Sequence, residues 1–176
     1  YDKVNIKKND SGTINVKTNL SYLPVNGDNL VYKAAYIMKE KYNIQDGFDI
    51  DLFKFIPVAA GMAGGSADAA AVLVGLNALY GAKLSMSELC ALGAGIGADV
   101  PFALMGGTCR VQGVGDLLKA LPPVPDCWFT VVMPDYGVST PEAFAAYDTV
   151  GSSTHPDCEA QEKAIRAGDL DAVCAA

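Results

Sequence analysis

"IPVAAGMAGGSADAAAVLVGLNALYG", Ile56 to Gly81, decides how this chain is read. Glycines gather directly after a strand-like segment, and an almost uncharged, alanine-rich run follows them. Such a stretch either packs a helix tightly against a sheet or forms a loop whose backbone wraps an anion. Successive backbone N–H groups that point into one concavity bind phosphate well, and the positive end of a following helix adds to the attraction. Gly61, Gly64 and Gly65 supply positions where a side chain would block a ligand or where φ must be positive. Ser66 then either caps the helix or lends its hydroxyl to a metal–phosphate unit. The stretch lacks the G-K-[ST] ending of a Walker A loop and does not fit G-x-G-x-x-G. Between Pro57 and Gly107 the only basic residue is Lys83. A triphosphate held here is therefore neutralised by backbone dipoles and a bound Mg²⁺, not by a lysine within the loop.

Outward from this stretch, period-two alternation marks "DKVNIKK" and "GTINVKTN" as two antiparallel strands joined at "NDSG", and "FDIDLFKF" as a third strand ended by Pro57. "DNLVYKAAYIMKEKYN" has helical spacing, with Asp28 or Asn29 as cap, and its Lys39, Glu40 and Lys41 read as a solvated helix end. The alanine-rich helix is expected from Ala67 and stops at Gly81. "SMSELCALGAGIG" opens on a capping box, Ser85 with Glu88. "TCRVQG" and "WFTVVMP" read as strands, with Trp128 in the core. "TPEAFAAYD" starts a short helix with Thr140 as cap and Pro141 in its first turn. "GSSTHPD" is a linker holding the sole histidine, His155, and the residues beyond it are helical in character. Asp135 and Tyr136 read as a surface turn, with the acceptor side of a site as the other reading.

Of the 176 residues, 51% are hydrophobic and 19% charged, a globular composition. No apolar run reaches the roughly 18 residues that span a bilayer, so no membrane is implied. A net charge of −7 weighs against nucleic acid as a partner. The five cysteines, Cys90, Cys109, Cys127, Cys158 and Cys174, show no C-x-x-C spacing and read as thiols of a reducing compartment, the cytoplasm. The strands cluster early and do not alternate regularly with helices, so the fold class is α+β.

A second stretch, "GIGADVPFALMGG" from Gly95 to Gly107, places Asp99 between small residues and Val-Pro. Asp99 is either a helix N-cap or a carboxylate held near the glycine loop, able to take a proton from a hydroxyl that attacks phosphorus.

Taken with "DNLVYKAA", "GLNALYG", "LSMSEL", "GVGDLL" and "VSTPEAFAAYD", these two stretches resemble the GHMP kinase superfamily from Tyr1 to about Asp148, and within it the erythritol-type branch. The resemblance implies a small-molecule kinase that transfers the γ-phosphoryl group of ATP, with Mg²⁺, to the 2-hydroxyl of 4-diphosphocytidyl-2-C-methyl-D-erythritol in the non-mevalonate isoprenoid pathway. It implies that Pro57, Val58, Ala59, Ala60, Gly61, Met62, Ala63, Gly64, Gly65, Ser66 and Ala67 form the ATP phosphate loop. Asn29, Leu30 and Lys54 match positions lining the adenosine side. Ser66 would meet the β-phosphate or Mg²⁺, and Asp99 would be the catalytic base.

The implied fold is a ribosomal-protein-S5-domain-2-like GHMP kinase N-terminal domain over residues 1–150, followed by the start of a ferredoxin-like C-terminal domain over residues 151–176. Members of the family carry a further segment ahead of the position of Tyr1, with a lysine that pairs with the aspartate and a D-G-Y-H stretch that grips cytidine. They also end in a third glycine-rich motif. The 176 residues thus resemble the middle of a longer enzyme and are expected, alone, to be weakly folded and inactive. Mevalonate- or homoserine-type acceptors and a non-catalytic nucleotide-binding short form are the alternatives.

Overall fold

The computed structural model describes residues 1–132, 137, 139–151 and 155–176, and Asp135 and Tyr136 lie outside them. Three strands, β1 (Lys3–Asn9), β2 (Ile14–Thr18) and β3 (Gly47–Phe53), form one sheet in the order β1-β3-β2. β3 runs antiparallel to β1, with Ile6 opposite Ile50, and parallel to β2, with Val16 opposite Ile50. The expected β1–β2 hairpin is therefore wrong: the two strands flank β3 and do not pair. Gly47 makes this insertion feasible. A Cβ on it would collide with Asn9 Oδ1 and the Thr13 carbonyl and would stand 2.6 Å from Thr13 N. Phe48 N–H then donates to the Thr13 carbonyl at 2.8 Å, which ties the start of β3 into the β1–β2 turn.

Alternation along β3 separates the two faces of the sheet. Phe48, Ile50 and Leu52 are buried, whereas Asp49 and Phe53 are exposed. The buried face meets α1 (Leu30–Lys41) through Val31, Ala34, Ala35 and Met38, and α2 (Gly64–Tyr80) through Ala69, Val72, Leu73 and Leu76. Leu89 and Leu92 of α3 (Met86–Ala94), with Val100 and Leu104 of α4 (Val100–Met105), extend the same core. The helix ends follow local chemistry. Asn29, not Asp28, caps α1 by accepting Val31 N–H at 2.9 Å. Ser85 and Glu88 close the expected capping box on α3, and Gly81 ends α2 in the left-handed region at φ 56°. Lys39 is not a solvated helix end: its ammonium donates to the carbonyls of Ile44, Gln45 and Asp46 at 2.7, 3.1 and 2.7 Å. A local lysine thus satisfies three carbonyls of the loop that returns to β3.

The chain divides into two compact units: Tyr1–Val58 with Met62–Gly106 and Val111–Leu118, and Ala59–Gly61 with Gly107–Arg110 and Lys119–Ala176. β4 (Thr108–Gln112) pairs with β5 (Leu117–Leu121), a strand the sequence reading lacked. The second unit holds α5 (Thr140–Val150), α6 (Cys158–Ala167) and α7 (Leu170–Ala175). Glu162 of α6 accepts from Lys119 at 2.6 Å, Arg166 at 3.0 Å and Arg110 at 3.4 Å. The Lys119 hydrogen bond, with the two arginines, holds its carboxyl down at about 2. Ser139, not Thr140, occupies the N-cap position of α5. The described part of "WFTVVMP", residues 128–132, forms no strand, and Trp128 is 99% exposed, so it is not a core residue. β-propensity needs a ladder partner to become a strand, and residues 128–132 pair with no strand among the described residues.

Candidate functional site

The chain leaves β3 into a loop that spends three residues in the left-handed region within five positions: Ala59 at φ 58°, Gly61 at φ 68° and Ala63 at φ 50°. For each alanine this conformation costs about 1–2 kcal/mol. α2 begins at Gly64, three residues before the expected Ala67, with Ala63 in the N-cap position and no side chain capping the turn. An α-helix leaves its first N–H groups without intrahelical acceptors. Ala67 N–H reaches the Ala63 carbonyl at 3.0 Å, so the open donors are those of Gly64, Gly65 and Ser66. Gly64 and Ser66 are buried, whereas Pro57, Val58, Ala59, Gly61, Met62, Ala63, Gly65 and Ala67 are exposed and Ala60 is half-buried. Ser66 is therefore the third residue of the helix and not its cap. Its hydroxyl has no hydrogen-bond partner among the described residues.

Several residues named from the sequence gather at this helix start. Gly64 is packed closely: a Cβ on it would stand 2.9 Å from Ile56 Cγ2 and 3.0 Å from Lys54 Nζ, so either neighbour would have to shift. A Cβ on Gly65 would touch Leu30 Cδ1 at 3.5 Å, and one on Gly97 would lie 3.9 Å from Ser66 Oγ. The "GADVPFAL" motif thus approaches the glycine loop through Gly97, two residues before Asp99. Asp99 occupies the N-cap position of α4, yet its carboxylate makes no capping bond. Asp99 is exposed, and its side chain makes no hydrogen bond or ion pair among the described residues, although its backbone carbonyl accepts Ala103 N–H at 3.0 Å. Its side chain is therefore not spent on holding the helix. Asn29 is spent: besides capping α1 it donates to the Pro24 carbonyl at 2.7 Å and is only 7% exposed. It fixes Leu30 in place while its own amide faces inward.

Lys54 is committed as well. Its ammonium is buried between Asp2 and Asp68, 2.8 Å from Asp68 Oδ2 and hydrogen-bonded to Asp2 Oδ2. Asp2 also accepts the N–H groups of Phe55 at 2.6 Å and Ile56 at 2.8 Å. Two carboxylates thus share one ammonium, and their environments separate them. Burial pushes the Asp68 carboxyl up to about 6 against the pull of Lys54. Burial acts on Asp2 too, but Lys54 and the two N–H groups prevail and hold it below the usual aspartate value. Burial likewise works against the charge on Lys54, and the two aspartates override it and raise its pKa. Sequence reading missed Asp2 and Asp68 entirely. The available signal was a single charge, Asp68, inside the apolar run "SADAAAV".

The site thus consists of a helix start without a side-chain cap, a preceding loop with residues in the left-handed region, and the segment through Gly97 that leads to Asp99. Residues 29–107 of this chain match the family described as GHMP kinases N terminal domain. Its α+β fold is the GHMP kinase N-terminal fold. The curated relatives include a 4-diphosphocytidyl-2-C-methyl-D-erythritol kinase of Lachnospira eligens, 45% identical over 170 residues, which cover 97% of this chain and 59% of that protein. The protein of the same name from Clostridium novyi is 42% identical, covering 97% of this chain and 60% of the relative. A crystal structure of 4-(cytidine 5'-diphospho)-2C-methyl-D-erythritol kinase superposes with a TM-score of 0.68 at 34% identity, over 96% of this chain and 59% of that one. Homoserine kinase from Cytophaga hutchinsonii, at 18% identity and a TM-score of 0.69 over 98% of this chain and 61% of that one, shares the fold. The chain thus spans 59% of the length of the first of these curated relatives. Among the described residues no helix is long and apolar enough to cross a membrane.

Proposed function

We propose that this chain serves the ATP-dependent phosphorylation of the 2-hydroxyl of 4-diphosphocytidyl-2-C-methyl-D-erythritol, a cytoplasmic step of isoprenoid synthesis. The observation that carries the reading is the uncapped start of α2, where Gly64, Gly65 and Ser66 present open N–H groups beside the segment leading to Asp99. Among the acceptor chemistries of similar proteins, 45% identity to an erythritol kinase favours that acceptor over homoserine, where identity is 18%, and over a heptose 1-phosphate, where it is 16%.

In this reading Pro57–Ala67 wraps the triphosphate with backbone dipoles, and Leu30 lines its entrance. Asp99 accepts the proton of the substrate hydroxyl as its oxygen attacks the γ-phosphorus. The bond from that phosphorus to the β,γ-bridging oxygen breaks, and ADP leaves. The Ser66 hydroxyl, which has no hydrogen-bond partner among the described residues, suits Mg²⁺, which takes few protein ligands and keeps phosphates and water for the rest. When bound, Mg²⁺ offsets phosphate charge that no lysine in the loop meets. Residues 151–176 are read as the opening of the family's C-terminal domain.

The test is transfer of labelled γ-phosphate from ATP to the cytidyl erythritol, to homoserine and to mevalonate, using the protein as its own cell makes it. Transfer is expected to the first acceptor alone. Asp99→Asn should cut transfer by about 10²–10⁴-fold, the usual worth of a general base, with nucleotide affinity unchanged. Transfer that survives Asp99→Asn, or that prefers homoserine, refutes the assignment.

A further inference from the structure

We infer that Asp2, Lys54 and Asp68 form a clamp that holds the glycine loop in its binding shape, which makes all three positioning residues and removes Lys54 from direct contact with nucleotide. The inference rests on the reading of Pro57–Ala67 as a phosphate loop. Its first support is burial: the side chains of Lys54, Asp2 and Asp68 are 4%, 5% and 4% exposed, so the ammonium is withdrawn from solvent and from any ligand that solvent carries in. Its second support is where the three attach. Asp2 grips the backbone on the strand side of the loop, at Phe55 and Ile56. Asp68 lies on the helix side, in the second turn of α2. Lys54 joins them, so one ionic link closes across the base of the loop.

The intervening stretch needs such a link. It contains two alanines in the left-handed region, a conformation that persists only where the surroundings impose it. Lys54 Nζ also stands 3.0 Å from where a Cβ of Gly64 would be, against the first residue whose N–H is open. A phosphate site built from backbone N–H groups binds tightly only if those groups already converge before the ligand arrives. Nearby lysines in phosphate sites commonly act as direct charges. Here the geometry gives the lysine another duty, because two aspartates already take up its charge.

The test compares amide hydrogen exchange across residues 57–66 with that of α1, in the unliganded protein and in Asp2→Asn. Nucleotide affinity and maximal turnover are measured alongside. Asp68→Asn, which keeps an amide oxygen facing Lys54, serves as a second variant should Asp2→Asn fail to fold. The expected result is exchange about tenfold faster in the loop, α1 unchanged, and a rise in the KM for ATP of about tenfold with kcat preserved. Loop exchange equal to wild type overturns the clamp. So does equal acceleration in loop and α1, which would make the triad a general stabiliser. Lys54→Met with weaker nucleotide binding and an unaltered loop would also overturn it, since it shows direct contact. Failure of the wild-type protein to bind nucleotide would refute the kinase reading alone, because the exchange data judge the clamp without any ligand.

Discussion

Adding one methyl group at Gly64 tests how tightly the start of α2 is pressed against the end of β3. Alanine at a helix position otherwise gains up to about 1 kcal/mol over glycine. At Gly64 the new carbon would stand 2.9 Å from Ile56 Cγ2, 3.0 Å from Lys54 Nζ and 3.2 Å from Ile56 Cβ. Neither neighbour yields freely. Ile56 N–H is bound to Asp2 at 2.8 Å, and the Lys54 ammonium is held by both aspartates. Overpacking of this kind costs about 1–3 kcal/mol, so Gly64→Ala should lose about 1–2 kcal/mol net. Gly65→Ala is the matched control. Its nearest neighbour is Leu30 Cδ1 at 3.5 Å, ordinary van der Waals contact, and it should be neutral or gain up to about 1 kcal/mol. The two variants differ by one position and the same atom. Their thermal midpoints, followed by circular dichroism, should separate by about 4–10 °C for a chain of this size. A Gly64→Ala protein as stable as Gly65→Ala would refute the packing argument, and with it the claim that Lys54 is held rigidly under the loop.

Gly47→Ala should destabilise by about 2–4 kcal/mol in urea unfolding, because its Cβ would force the Asn9–Thr13 turn away and strain the Phe48–Thr13 hydrogen bond. Gly27→Ala, with nothing within 4 Å, should be neutral, and equal effects at the two sites would contradict β3 lying between β1 and β2. Stability should also depend on the protonation of Asp68. Its folded-state value of about 6 lies above the ordinary 3.8, so the folded protein holds this proton more tightly than the unfolded chain. Its contribution is fully present below about pH 4 and is lost as pH rises through about 6. Asp2, held below 3.8, acts in the opposite sense, its contribution present above about pH 4 and lost on acidification. Between pH 4.5 and 7.5, wild type should lose about 2 kcal/mol relative to Asp68→Asn. Parallel pH profiles for the two proteins would refute the assignment.

Some of this protein was legible because it depends on neighbours in sequence. The Ser85–Glu88 capping box, the Gly81 helix end and the alternation of "FDIDLF" all involve contacts within a few residues, and the structure contains each of them. The glycine loop and the Asp99 motif were also legible, as patterns of residue type at fixed spacing. The strand order was not. Local alternation shows that β1 and β2 are strands, but a short turn between two strands looks the same whether they pair or admit a third strand between them. Only Gly47, some 35 residues away, decides that. Nor could "WFTVV" be placed, since its composition fits a strand and nothing among the described residues pairs with it.

The sequence by itself determined the class of fold, the glycine-rich turn that leads into the alanine-rich helix of Ile56–Gly81, and the placing of Asp99 ahead of Val-Pro, because each follows from the chemistry of consecutive residues. Tertiary structure alone decided which charges are available. Asp99 stays exposed, its side chain without a partner among the described residues, whereas Lys54, Asp2 and Asp68 pair with one another across 66 positions of sequence in a buried triad. A charge far off in the chain costs nothing until folding removes the water between it and its partner, and that happens only when β3 and α2 pack together.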